Sequence, residues 1–124
     1  MKKPYGIVII SHSADVAKGV FDIASQVAHD VCITYAGGTD DGGIGTSFDK
    51  VNDAFEQNEA DKVYAFYDLG SAKMNIETVS ELSDKEIILF DAPLLEGVYA
   101  TAAQIQIDEK PDVISKNLKS IEMK

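Results

Sequence analysis

His12 is the residue of this chain best placed to do chemistry. It comes directly after an apolar run, residues 5–10, and just before a helical pattern that starts at Ala14. An imidazole at such a junction meets the amide hydrogens of a helix start, a ready place for phosphoryl oxygens. The positive end of the helix dipole disfavours imidazolium, which favours a neutral, nucleophilic ring. The chemistry that follows is transfer of a phosphoryl group through the ring; a histidine that only bonds a turn is the competing reading. Asp68 follows a later apolar run, residues 62–67. A carboxylate beside an imidazole fixes its tautomer and stabilises its charged form. We expect Asp68 to bond one ring nitrogen of His12 and leave the other to take the phosphate; Nδ1 on Asp68 with Nε2 as acceptor is the favoured arrangement, which only geometry decides, and the same side chain also suits a helix cap before Gly70-Ser71-Ala72. The backbone amides of Gly70 and Ser71 are expected to hold oxygens of the transferring group.

A loop over residues 36–45 carries five of the nine glycines. Glycine allows positive φ and close approach of backbone to a ligand. Gly38 and Thr39 are therefore the expected phosphoryl-binding residues of this loop, while Asp40 and Asp41 serve equally well as solvated turn residues. The stretch Gly42-Gly43-Ile44-Gly45-Thr46-Ser47 lacks the Walker lysine and does not follow the first strand. It fits neither a phosphate-binding loop of the ATPase kind nor a dinucleotide fingerprint. No nucleotide or other cofactor is expected on this chain, and no histidine or cysteine cluster suggests a metal site. His29 sits before Asp30 at a helix end, where it only favours the dipole. The single cysteine, Cys32, lies in an apolar run and has no internal disulfide partner.

These residues need a frame. Apolar runs at residues 5–10, 31–35, 62–67 and 86–90 read as strands. Between and after them lie helical patterns. The first covers residues 14–28, with Val16, Val20, Ile23 and Val27 as its apolar stripe. Ser13 is its expected cap. The second covers residues 47–57, with Phe48, Val51 and Phe55 inward and Thr46 as cap. Ala72, Ile76 and Val79 mark a third, and Pro93 opens a fourth with Leu95, Val98, Ala102 and Ile105 as its stripe. After Pro111 a short helix competes with a fifth, edge strand. The alternation predicts an α/β fold, a three-layer αβα sandwich with a mainly parallel sheet of four or five strands, in one domain over residues 1–124. Ligands of such folds bind beyond the carboxyl ends of the strands. Ser11-His12-Ser13, Gly37 to Asp41, Asp68 to Ser71 and Asp91 to Leu94 all leave strands at that end.

The formal net charge is -10. Nucleic acid requires a basic face, so it is excluded as a partner. The acidity suits docking of a basic protein surface, and it equally serves plain solubility. No apolar run reaches the about 18 residues of a membrane span, and the first is too short for a signal peptide. We expect a cytoplasmic protein.

The motifs Ile9-Ile10-Ser11-His12-Ser13, Gly37-Gly38-Thr39-Asp40-Asp41, Ile44-Gly45-Thr46, Asp68-Leu69-Gly70-Ser71-Ala72 and Ala92-Pro93-Leu94-Leu95-Glu96-Gly97, in that order, carry a family resemblance. Together they resemble DhaM, the phosphotransferase subunit of bacterial dihydroxyacetone kinases driven by the phosphoenolpyruvate phosphotransferase system. The resemblance implies a mannose-type EIIA-like fold and a relay. Phosphate passes from enzyme I through HPr to His12, the residue matching the family's active histidine. It then passes to ADP held on a partner kinase subunit (DhaL), and the ATP formed serves dihydroxyacetone bound on a third subunit (DhaK). Some members carry fused HPr and enzyme I segments; here those partners are expected as separate proteins. A homodimer is also implied. The rival classes are a mannose-type IIA subunit of a sugar transporter, a receiver-type domain phosphorylated on Asp68, and a non-catalytic binding module. The receiver reading suffers because Ser11 and His12 stand where that class has an acidic pair.

Overall fold

The strand of residues Tyr5–Ser11 (β1) has no charged side chain, and Gly6 to Ile10 are wholly apolar. Such a strand is stable only where both faces are covered. In the computed structural model, which describes residues 3–122, β1 is central and both its faces are buried. It is followed by Ala14–Ser25 (α1), Ile33–Gly37 (β2), Phe48–Gln57 (α2), Lys62–Tyr67 (β3), Gly70–Leu82 (α3), Glu86–Leu89 (β4), Leu94–Gln106 (α4) and Pro111–Ser120 (α5). The four strands form one parallel sheet in the order β2-β1-β3-β4. Ile7 and Ile9 face one layer, with Ala17, Val20 and Ala24 of α1, Val98, Ala102 and Ile105 of α4, and Ile114 and Leu118 of α5. Val8 and Ile10 face the other, with Val51, Ala54 and Phe55 of α2 and Ala72, Ile76 and Val79 of α3. This is the expected three-layer α/β sandwich, with four strands.

The strand order explains where a site can form. The chain leaves β1 toward β2 on one side and leaves β3 toward β4 on the other. Neighbouring strand tips whose connections diverge open a crevice between them. The pairing of Ile10 with Tyr67 places the next residues, Ser11-His12 and Asp68, at the two lips of that crevice.

Several local expectations shift. The first helix stops at Ser25, and its inward residues are Ala17, Val20 and Ala24. Val16 and Ile23 are 45% and 46% exposed instead of inward. Both sets recur at helical spacing, but the small residues let α1 lie close on the sheet, and the larger ones turn out. The second strand begins at Ile33, two residues later than expected. Ser47, not Thr46, caps α2 by accepting from the amide of Lys50 at 3.4 Å. The Thr46 hydroxyl accepts from Asn75 Nδ2 at 2.9 Å. Phe48 is only half-buried. The tail is helix α5 and not an edge strand; Pro111 starts it, as a residue with no amide hydrogen can. Ile114 and Leu118 point inward, while Ile121 lies beyond the last turn.

Candidate functional site

His12 sits one residue beyond β1, its side chain 15% exposed, with Asp68 beside it at 23%. The ring is held from both ends. Nδ1 lies 2.9 Å from Asp68 Oδ1, and Nε2 is hydrogen-bonded to the hydroxyl of Ser71. An ionised carboxylate only accepts, so Nδ1 of the neutral ring carries the proton and Nε2 offers its lone pair to the Ser71 hydroxyl. Asp68 is itself fully engaged. Oδ2 accepts from the Ser11 hydroxyl at 2.6 Å and from the His12 amide at 3.0 Å. Oδ1 also accepts from the Leu69 amide at 2.7 Å. Burial is the largest single influence on this carboxyl and pushes its pKa up. The hydroxyl of Ser11 and the amide and ring of His12 together outweigh burial, so the pKa lies below the ordinary carboxylate value.

Of the two helix starts beside the ring, the competing reading of one is corrected and the expectation for the other is met. Asp68 does not cap α3: Leu69 occupies that position and contributes no side-chain hydrogen bond. The amides of the first turn of α3 are thus left without a side-chain cap. The helix after His12 is different, because Ser13 caps α1 by accepting from the Val16 amide at 3.3 Å. Ser71 lies in the first turn of α3, so its contact with Nε2 sets that uncapped helix start against the ring. Nε2 does not stand open as expected; the Ser71 hydroxyl fills its place.

The glycine loop is close to the ring but closed on itself. The Gly45 amide donates to the carbonyl of His12 at 2.8 Å, tying loop to site. Gly37 lets the tip of β2 pass beside β1, since a Cβ there would stand 2.5 Å from the carbonyl oxygen of Ser13. Gly38 turns the chain outward with φ of 81°. The Thr39 hydroxyl donates to Asp41 Oδ1 and accepts from the Gly43 amide. Lys50 Nζ donates to the Thr39 carbonyl at 2.9 Å. That hydroxyl holds Asp41 below the ordinary carboxylate pKa, with the Gly43 amide as second cause. The structure therefore brings Asp68 and Ser71 to the ring, and spends the Thr39 side chain inside its own loop. His29 is exposed in the turn after α1, at the opposite end of the sheet.

The chain contains no arginine. Among the described residues no hydrogen bond or ion pair brings a lysine to His12. Lys73, in the first turn of α3, pairs instead with Asp91 at 3.0 Å, which also accepts from the Tyr67 hydroxyl. Oxygens at this rim would meet amide and hydroxyl dipoles before any fixed cation. Among the described residues no group of three or more histidine, cysteine or acidic side chains is disposed to hold a metal. Sequence reasoning missed Ser11, which is fully buried under the pair. Its one signal was a hydroxyl at the end of an otherwise apolar strand.

The parallel sheet with a histidine at the tip of its first strand is that of a mannose-type IIA protein: residues 6–115 match the family model EIIA-man, the PTS system fructose IIA component. A solved crystal structure of a protein described as of unknown function superposes with a TM-score of 0.83 at 27% identity, covering 100% of this chain and 98% of that one. The PEP-dependent dihydroxyacetone kinase 1 phosphoryl donor subunit DhaM of Listeria innocua is 76% identical over 124 residues, the whole of both chains. The PTS-dependent dihydroxyacetone kinase phosphotransferase subunit DhaM of Lactococcus lactis is 44% identical over 117 residues, 94% of this chain and 95% of that one. This chain belongs to the DhaM family of phosphotransferase subunits.

Proposed function

We propose that this chain is a phosphohistidine carrier. It accepts a phosphoryl group from HPr on His12 Nε2 and passes it to ADP on a partner kinase subunit, which then phosphorylates dihydroxyacetone. The observation that carries the reading is the His12 ring itself. It lies at the crevice between β1 and β3, with Nδ1 on Asp68 and Nε2 on the first turn of α3. The names of the Listeria and Lactococcus relatives support the same role.

In the first step the Nε2 lone pair attacks phosphorus, and the bond from phosphorus to the donor breaks. The proton on Nδ1 stays on the ring, whose new positive charge is stabilised by Asp68. The Ser71 hydroxyl turns from Nε2 to a phosphoryl oxygen, beside the amides of Gly70 and Ser71. In the second step an oxygen of the ADP β-phosphate attacks, the N–P bond breaks, and the neutral ring returns. Such transfer needs positioning and charge stabilisation more than covalent machinery. Gly38 and Thr39 shape the neighbouring wall. The chain acts as one EIIA-like domain over residues 1–124, holds no nucleotide of its own, works in the cytoplasm and forms a homodimer. No helix among the described residues is long and apolar enough to cross a membrane.

The family model's description, a IIA component, also favours a second reading, in which the phosphate goes to a sugar-specific IIB protein. Phosphoenolpyruvate, enzyme I and HPr should label the chain, and adding the ADP-loaded kinase subunit should then discharge it to ATP. A labelled chain that this subunit leaves untouched would overturn the acceptor and favour the IIA reading.

A further inference from the structure

We infer that Ser11 is a positioning residue for His12, whose hydroxyl fixes the rotation of the Asp68 carboxylate and thereby the ring nitrogen that carries the proton. A carboxylate turns readily about its last bond. Asp68 is stopped from doing so by a directed chain of hydrogen bonds. The Ser13 amide donates to Ser11 Oγ at 3.1 Å, which occupies an acceptor site of that hydroxyl. Its single hydrogen then points to Asp68 Oδ2, 2.6 Å away. With Oδ2 engaged, Oδ1 faces His12 Nδ1. Ser11 is fully buried, so water does not compete for the hydroxyl.

The Ser83 hydroxyl ends on backbone, accepting from the Lys85 amide, and the Thr39 hydroxyl closes its own loop. Ser11 instead connects backbone to a side chain that touches the ring. Its consequence for transfer rests on the phosphocarrier reading; its consequence for the ring does not. Without Ser11 the carboxylate keeps only the backbone amides of His12 and Leu69 besides the ring, its hold on Nδ1 loosens, and part of the proton moves to Nε2. Nε2 then bears the lone pair for only part of the time.

The test is nitrogen-15 NMR of the His12 ring in the full chain at neutral pH, in the wild type, Ser11→Ala and Ser11→Cys. The thiol is slightly larger than the hydroxyl, leaves no cavity and donates weakly, so the cysteine variant carries the comparison if the alanine variant fails to fold. The wild type should show the Nδ1–H tautomer. The variants should show a mixture, with phosphorylation by HPr slowed about tenfold, the loss of one positioning hydrogen bond. Wild-type ring shifts in the folded variants would overturn the inference. A wild-type chain that HPr does not label would refute the phosphocarrier reading instead, and the ring shifts would still decide the role of Ser11.

Discussion

The two ends of the sheet use polar side chains in opposite ways. At the end where the strands begin, Asn58 is buried and bonds backbone together with the Thr34 hydroxyl, which itself donates to the Ala54 carbonyl. Its Nδ2 donates to the carbonyls of Ile7 and Cys32 at 3.0 and 3.1 Å, and its Oδ1 accepts from the Ala60 amide at 3.0 Å. Lys85 Nζ closes over it by donating to the carbonyls of Asn58 and Ala60 at 2.9 and 2.7 Å. At the end where the strands finish, Ser11, Asp68, His12 and Ser71 are linked through side chains, and the series ends at Ser71, which is exposed. A clamp satisfies backbone and is finished; a site leaves one group that a second molecule can reach. Of the helices that start at the same end as the ring, α1 and α2 are capped by Ser13 and Ser47, while α3 and α4 have no side-chain cap.

The contrast can be broken at either end. The largest effect should come from His12→Ala, which keeps the fold by circular dichroism and abolishes labelling from phosphoenolpyruvate. Labelling left intact would remove His12 from the relay. Asp68→Ala should slow transfer about a hundredfold, in the range of a lost general acid–base or charge-stabilising group. Rapid-quench measurement of phosphorylation by HPr reads this, and a wild-type rate would remove its role. Asn58→Ala should do the reverse. It takes the acceptor from the buried Ala60 amide and a donor from each of the Ile7 and Cys32 carbonyls, and should cost about 3 kcal/mol of stability. Urea unfolding measures that loss, and transfer per folded molecule should stay at the wild-type rate. Ser71→Ala should be milder, about tenfold at most, because the α3 amides remain.

The smallest effect concerns pH. The Asp68 carboxyl has a folded pKa below its unfolded value, near 3.9 for a free side chain. Its contribution to stability is therefore present above about pH 4 and is lost as pH falls through the folded value. The partial exposure of the site keeps that contribution modest. Melting curves from pH 6 down to pH 2 should fall less steeply for Asp68→Asn than for the wild type, and parallel curves would contradict the hydrogen-bonded carboxylate.

Much of this was legible in the residues, for identifiable reasons. β1 and β3 are continuous apolar runs, and a continuous run has one stable place, inside the sheet. Once both are inside and parallel, His12 and Asp68 must leave from the same rim. The pairing of the two came from topology and needed no motif. Other features depend on three-dimensional closure and could not be read. The apolar residues of α1 offer two faces at helical spacing, and only the sheet surface selects Ala17 and Ala24 over Val16 and Ile23. Thr39 looked available for a ligand, but the positive φ of Gly38 and Gly42 belongs to a loop folded so that Asp41 and Gly43 take its hydroxyl. Ser11 carries no sign of its partner, because a hydroxyl at a strand end bonds whatever the neighbouring strand delivers. The shift from Thr46 to Ser47 as the cap reflects a competing donor, Asn75, from α3.

The relay runs through one atom, Nε2 of His12. The most direct measurement is phosphorus–nitrogen coupling in the NMR spectrum of nitrogen-15-labelled chain after incubation with phosphoenolpyruvate, enzyme I and HPr. Phosphorus bonded to Nε2 of His12, with Nδ1 still protonated against Asp68, is the predicted result. Phosphorus on Nδ1, or on any residue other than His12, would contradict it.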